Sequence, residues 1–183
     1  MNSAAQTWLL ASRQRRIPAS IVDASEAGMT GTPSEWRDSG VRIVQHGEFD
    51  PNTPQTPGMH RDAAISGASA GAEKIWAGTV VIEPGAQTGA HHHGALESVI
   101  YVVAGRARMR WGDRLEFVAE AGPGDFIFVP PFVPHQEINA NADEQLSCVV
   151  IRSDQEPVVV NLDLPQVEDL ARAQWVDWHR PAQ

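Results

Sequence analysis

A chain of 183 residues, 42% of them hydrophobic, has room for one domain with a core of ordinary density and length to spare at both ends. A net charge of −9 argues against nucleic acid and anionic membrane surfaces, both of which call for a basic face, but leaves small neutral or modestly anionic ligands open. The single cysteine, Cys148, rules out an internal disulfide framework and suits a reducing compartment.

Residues 1–72 read as a loop-rich N-terminal extension. They hold a short apolar patch at Trp8, Leu9 and Leu10, too brief for a signal peptide and followed rather than preceded by arginines. An apolar run at 41–44 comes next, then prolines at 51, 54 and 57, and the small-residue stretch 66–72 closes the zone. Nowhere do about 18 consecutive apolar residues occur, the length a membrane span needs, so a cytoplasmic protein is expected.

From 73 to 162 the texture changes to short β-rich runs cut by turn residues, the spacing of a sandwich or barrel. The predicted strands cover 74–83, 98–104, 106–111, 114–119, 126–129, 135–139, 146–152 and 158–162, with a tight turn at Gly112-Asp113. Strict alternation in 106–111 puts Arg106, Arg108 and Arg110 on one face, either a solvated face or a contact for an anion or a second subunit. Cys148, inside the apolar run 146–151, reads as a small buried hydrophobe. Beyond Pro165 the period turns helical, with Val167, Leu170, Ala171, Trp175 and Trp178 at steps of three and four. The tail 163–183 is therefore expected to be a helix packed on the barrel or on a partner.

The chemistry concentrates in two places. His91 and His93, one residue apart in an extended strand, point the same way, and Glu97 can close on the same ion if the chain bends at Gly94-Ala95. A third imidazole, His135, follows a proline-stiffened turn. Imidazole with carboxylate suits a divalent transition metal and leaves calcium unfavoured. Alternation turns His92 away, toward a second layer or solvent. Glu137 and Asn139 share the parity of His135, so Glu137 is a candidate general base beside a metal or a partner for an arginine at the rim. Met59-His60-Arg61 follows the proline-rich loop, either as a cover for the site mouth or with His60 a plain surface histidine. Trp76, Tyr101, Phe126, Phe128 and Phe132 are candidate aromatic walls.

These motifs resemble those of the cupin superfamily. Gly85, His91, His93 and Glu97 match its first motif, glycine, five residues, His-x-His, three or four residues, Glu, six residues, glycine, with Gly105 one residue late. The longer spacing, counted back from Glu97, would put the histidines at 90 and 92, where Ala90 offers no imidazole. Gly124, Pro130, His135 and Asn139 match the second motif, with Phe132 in place of a glycine. The resemblance implies an all-β double-stranded β-helix, a jelly-roll barrel, holding one divalent metal on His91, His93, Glu97 and His135. Iron is expected first, with manganese, nickel, copper or zinc as alternatives, and Glu97 and Glu137 as catalytic carboxylates. It further implies a small-molecule substrate and a homodimer. The expected reaction is oxygenation of dioxygenase type. The alternatives are redox-neutral isomerase, lyase or decarboxylase chemistry, and metal-dependent ligand binding without catalysis.

Overall fold

The computed structural model describes residues 40–167 and 169–177; Trp8, Leu9, Leu10 and Trp178 lie outside them. By internal contacts the chain divides into Met1–Val41 and Arg42–Gln183, and the described strands all lie in the second unit.

Among the described residues eleven strands make two sheets, the all-β double-stranded architecture expected. They are β1 (Met59–Ile65), β2 (Trp76–Ile82), β3 (His91–His92), β4 (Ser98–Ala104), β5 (Ala107–Trp111), β6 (Phe117–Ala121), β7 (Phe126–Val129), β8 (His135–Asn139), β9 (Leu146–Arg152), β10 (Val160–Asn161) and β11 (Gln174–Trp175). The five-stranded sheet runs β1-β2-β9-β4-β7 and the six-stranded sheet β10-β3-β8-β5-β6-β11. All named pairs are antiparallel except β6–β11.

Period-two alternation builds the core. Val80 and Ile82 of β2, Ile100 and Val102 of β4, Met109 of β5 and Leu146, Cys148 and Val150 of β9 face inward, and Val102 is wholly buried. Cys148 is a packed thiol, its pKa pushed up to about 12 by burial and then by the nearby Glu137 charge.

Three features differ from the sequence reading. First, the sheet framework begins at Met59 rather than near 73, because β1 pairs along β2 and sends Met59 and Ala63 into the core. The four-residue helix α1 (Gly67–Ala70), capped by Ser66, then turns the chain back. Second, Gly112-Asp113 opens a longer turn. Leu115, fully buried with φ 51°, closes it by donating its N–H to Gly112 O, and β6 starts only at Phe117. Third, the described part of the C-terminal tail is not the expected helix. It makes a single 3-10 turn at Leu170–Arg172, capped by Asp169, and then adds β11 in parallel to β6. The physical reason is the open edge of β6. Val167, Gln174 and Val176 donate N–H groups to Arg114, Glu116 and Val118 carbonyls, which gives the tail a ladder to join instead of a helix of its own.

This tail also accounts for the arginine face. Arg108 is bidentate on Glu120 Oε1 at 2.8 and 2.6 Å and lies over the Trp175 ring, and Arg106 approaches Glu120 at 3.6 Å. Arg110 is buried and donates to Leu115 O and Val167 O. The three guanidinium groups are thus engaged with Glu120 and the tail. Among the described residues no helix is long and apolar enough to cross a membrane.

Candidate metal centre

His91, His93, His135 and Glu137 converge inside the sandwich, with one ligating atom from each lying within 4.8 Å of the others. The ring centroids are 4.4 Å apart for His91–His135, 4.9 Å for His91–His93 and 5.1 Å for His93–His135. Register explains the convergence. His91 pairs directly across from His135, His93 follows on the same side, and Glu137 is two residues beyond His135 on β8.

Local bonds fix each ring. The Nδ1 atoms of His91, His93 and His135 lie 2.9, 2.8 and 2.9 Å from the carbonyl oxygens of Gly89, Val158 and Val133. A carbonyl only accepts, so each Nδ1 carries the proton and each Nε2 keeps its lone pair. His135 Nε2 is buried with no hydrogen-bond partner, and three such lone pairs beside a carboxylate are a donor set that fits a divalent transition metal. The backbone of β8 is tied on both edges. Glu137 N–H donates to Thr88 Oγ1, Glu137 O accepts from Thr88 N–H, and β5 pairs along the other side.

Electrostatics keep the set ready. Burial pushes the His93 pKa down to about 4. The bond to Val158 O pulls it up, and the charges of Arg152, His135 and His91 press it down again. Burial likewise lowers His135, against the opposing pull of Glu137. For Glu137 burial acts upward, but the charges of His135, His91, Arg61 and His93 outweigh it and hold the carboxyl below its ordinary range.

A pH dependence follows. The folded His93 pKa lies below the unfolded value near 6.5, so protons favour the unfolded chain as pH falls. The chelator-treated protein is expected to hold its full stability above about pH 6.5 and lose it progressively toward pH 4. Denaturant midpoints measured across that window, with His93→Gln showing a smaller fall, check it.

Glu97 is not brought to the cluster. It is exposed just ahead of β4, where its N–H donates to Ser153 Oγ and its carbonyl accepts from Ser153 N–H. Parity is the reason: from Ser98 to Val102 the even residues of β4 face inward, which turns Glu97 out. A β-bulge between Val102 and Ala104 does add a residue ahead of Gly105, but it lies beyond Glu97 and cannot change its side. The informative signal was Gly105 itself. Counted forward from His93, four residues lead to Ser98 and six more to Gly105, both in the family's spacing. Ser98 occupies the place of the first-motif carboxylate, and Glu137 supplies the carboxylate from β8 instead.

His92 stands apart, accepting the Gly94 N–H on Nδ1. Gly94 makes the bend after the histidines with φ 60°, open to glycine, and Phe132 takes φ 58° where the family has a glycine, so that turn keeps its shape with a strained residue. Asn139 is a strut and not a site residue, with its amide donating to Ile82, Glu83 and Glu144 carbonyls. His60 is exposed on β1, and Tyr101 faces outward against Phe126. Trp76 faces inward. An apolar cleft of about 720 Å3, walled by Trp111, Phe117, Ile127, Val129 and Val133, reaches His135.

Two side chains escaped sequence reasoning. Arg152 follows Val150 on the inward face of β9, and Arg61 lies between inward Met59 and Ala63 on β1. Their parity with core positions was the available signal.

Residues 78–152 match the model of a family described as the cupin domain. The chain carries a cupin domain. Among solved structures, this cupin is similar to a double-stranded β-helix protein from Klebsiella pneumoniae at 17% identity and TM-score 0.52, covering 67% of this chain and 98% of that one. It is similar to the polyketide cyclase RemF from Streptomyces resistomycificus at 22% identity and TM-score 0.57, covering 71% and 89%. It also aligns with the Bacillus subtilis oxalate decarboxylase, described with Mn(II) centres, at 24% identity and TM-score 0.51, over 62% of this chain and 30% of that longer one. A search of curated proteins by sequence returned no match.

Proposed function

We propose that this cupin is a metal-dependent enzyme acting on a small organic molecule, with oxygenation by dioxygen as the reaction class. The observation that supports it is the donor set: three imidazoles whose Nδ1–H bonds leave Nε2 free, with Glu137 beside them, at the inner end of an apolar cleft. Held by His91, His93, His135 and Glu137, a divalent transition metal would supply Lewis acidity and, if redox-active, electrons for dioxygen.

The residues of the chain supply the rest. Burial holds His93 and His135 neutral at physiological pH against the upward pull of their Nδ1 bonds, so neither donates a stray proton. Glu137, kept ionised, offers a negative charge to a cation beside the imidazoles. The walls at Trp111, Phe117 and Val129 orient an apolar substrate body and keep bulk water out. A redox-neutral isomerase, lyase or decarboxylase is the second reading, favoured by Arg61 and Arg152, whose charges act on Glu137 and can draw electron density from a carbonyl or carboxylate.

Protein purified without added metal is expected to carry about one ion per chain by elemental analysis, and the iron-loaded form to consume dioxygen with a small organic acid in an oxygen-electrode screen. Turnover persisting under argon would move the assignment to the redox-neutral class. Ligand-induced thermal stabilisation with no turnover in either atmosphere would leave a binding protein.

A further inference from the structure

Five buried side-chain polar atoms have no hydrogen-bond partner among the described residues: Arg61 Nε, Ser98 Oγ, His135 Nε2, Gln136 Oε1 and Arg152 Nε. Gln136 alternates with His135 and faces the other side of its sheet. The remaining four are on inward-facing residues. His135 Nε2 is accounted for by the metal centre, and the other three have no assigned partner.

Arg152 is the most telling. It is only 7% exposed, yet no hydrogen bond or ion pair reaches its guanidinium among the described residues, and it lies over the Trp76 ring at 5.2 Å. Its main-chain neighbours in the sheet are Trp76 on one side and Ser98 on the other. Ser98, 3% exposed, therefore sets an unpartnered hydroxyl on the same inward face, next to an unpartnered cation. Arg61 adds a second charge. One of its terminal nitrogens is anchored to Pro54 O at 2.7 Å while its Nε is left over, and its field acts on both Arg152 and Glu137. A guanidinium stays charged in proteins, and burying one without an anion is costly. Glu137 does not discharge the debt, since neither arginine comes within 4.0 Å of a carboxylate oxygen among the described residues. Val150, two residues before Arg152 on the same inward face of β9, lines one small cavity together with Glu137, so this cation lies on the wall across from the metal centre.

We propose that Arg152, Arg61 and Ser98 form a carboxylate-binding subsite facing the metal centre, so that the substrate is a small organic acid whose carboxylate is held by the five-stranded sheet while the rest of it meets the ligands of the six-stranded sheet. The Trp76 face orients the Arg152 fork, Ser98 Oγ donates a third hydrogen bond, and Arg61 supplies charge from the side. This rests on the reading of the four-ligand cluster as a metal centre only for what the carboxylate is delivered to; the subsite itself needs no ion.

The test is calorimetric titration of malonate, with malonamide as the neutral counterpart, into the full chain at pH 7.5, both as purified and after chelator treatment. Malonate is expected to bind both forms and malonamide neither. Arg152→Met should weaken malonate binding to the chelator-treated protein at least tenfold, Arg152→Lys less, and Arg61→Gln by about threefold, with metal content of the as-purified variants unchanged. Equal malonate affinity in wild type and in both Arg152→Lys and Arg61→Gln, or none in the chelator-treated wild type, overturns the subsite even if Arg152→Met does not fold. Arginine-dependent binding in a protein that never carries metal would retain the subsite and reject the metal reading.

Discussion

Glu137→Gln is expected to lower retained metal several-fold, whereas Glu97→Gln leaves it at the wild-type level. Alanine at His91, His93 or His135 should cost at least tenfold in affinity, the scale seen when even an outer partner of a metal ligand is removed. His92→Ala should change little. The contrast between the two glutamates carries the information. Glu137 belongs to the group whose ligating atoms lie within 4.8 Å, and its carboxyl is held ionised by the neighbouring imidazoles and Arg61. Glu97 is exposed outside that group. Elemental analysis after dialysis, with chelator competition to rank affinities, reads both. Metal stripped by Glu97→Gln but retained by Glu137→Gln would restore the ligand set expected from the first motif.

Asn139→Ala should destabilise the fold by about 3 kcal/mol, lowering the melting temperature by roughly 10 °C, while the folded fraction keeps its metal. Asn139 is 2% exposed, donates to three carbonyls at 2.8 to 3.1 Å and accepts the Asn141 N–H at 3.0 Å. Alanine removes all four bonds at a buried position; Glu83 O keeps the Ala86 N–H, so the loss falls on the Ile82 and Glu144 carbonyls and on the Asn141 N–H. Denaturant melts measure the loss, and a change below about 1 kcal/mol would show that the strut is dispensable.

Much of the barrel was legible because its strands alternate cleanly between turn residues. The bounds of β4, β7, β8 and β9 coincide with the β-rich runs read from sequence. β1 was hidden by His60, Arg61 and Asp62, three polar residues in a row that mask the inward Met59 and Ala63. The tail misled for a different reason. Steps of three and four predict a helix only if the segment must satisfy its own backbone, and the edge of β6 offered another partner. The three histidines were readable from spacing alone. The carboxylate was not, because a one-residue choice in counting sends a strand side chain to the opposite face, and Glu97 looked right where Gly105 already argued for Ser98. Buried arginines are invisible to hydrophobic pattern, since the pattern treats a cation at an inward position as a break and not as a ligand group.

All four candidate ligands come from β3, the residue just after it, and its neighbour β8, so the coordination sphere rides on one wall of the sandwich. A carboxylate at position 98 would have bolted that wall to the opposite one through the ion. With serine there, no ligand crosses from the opposite sheet, and an ion would be held by one wall alone. What ties the two walls together is then their shared apolar core and not the coordination sphere, so emptying the centre would loosen the inner face of one sheet without parting the sandwich.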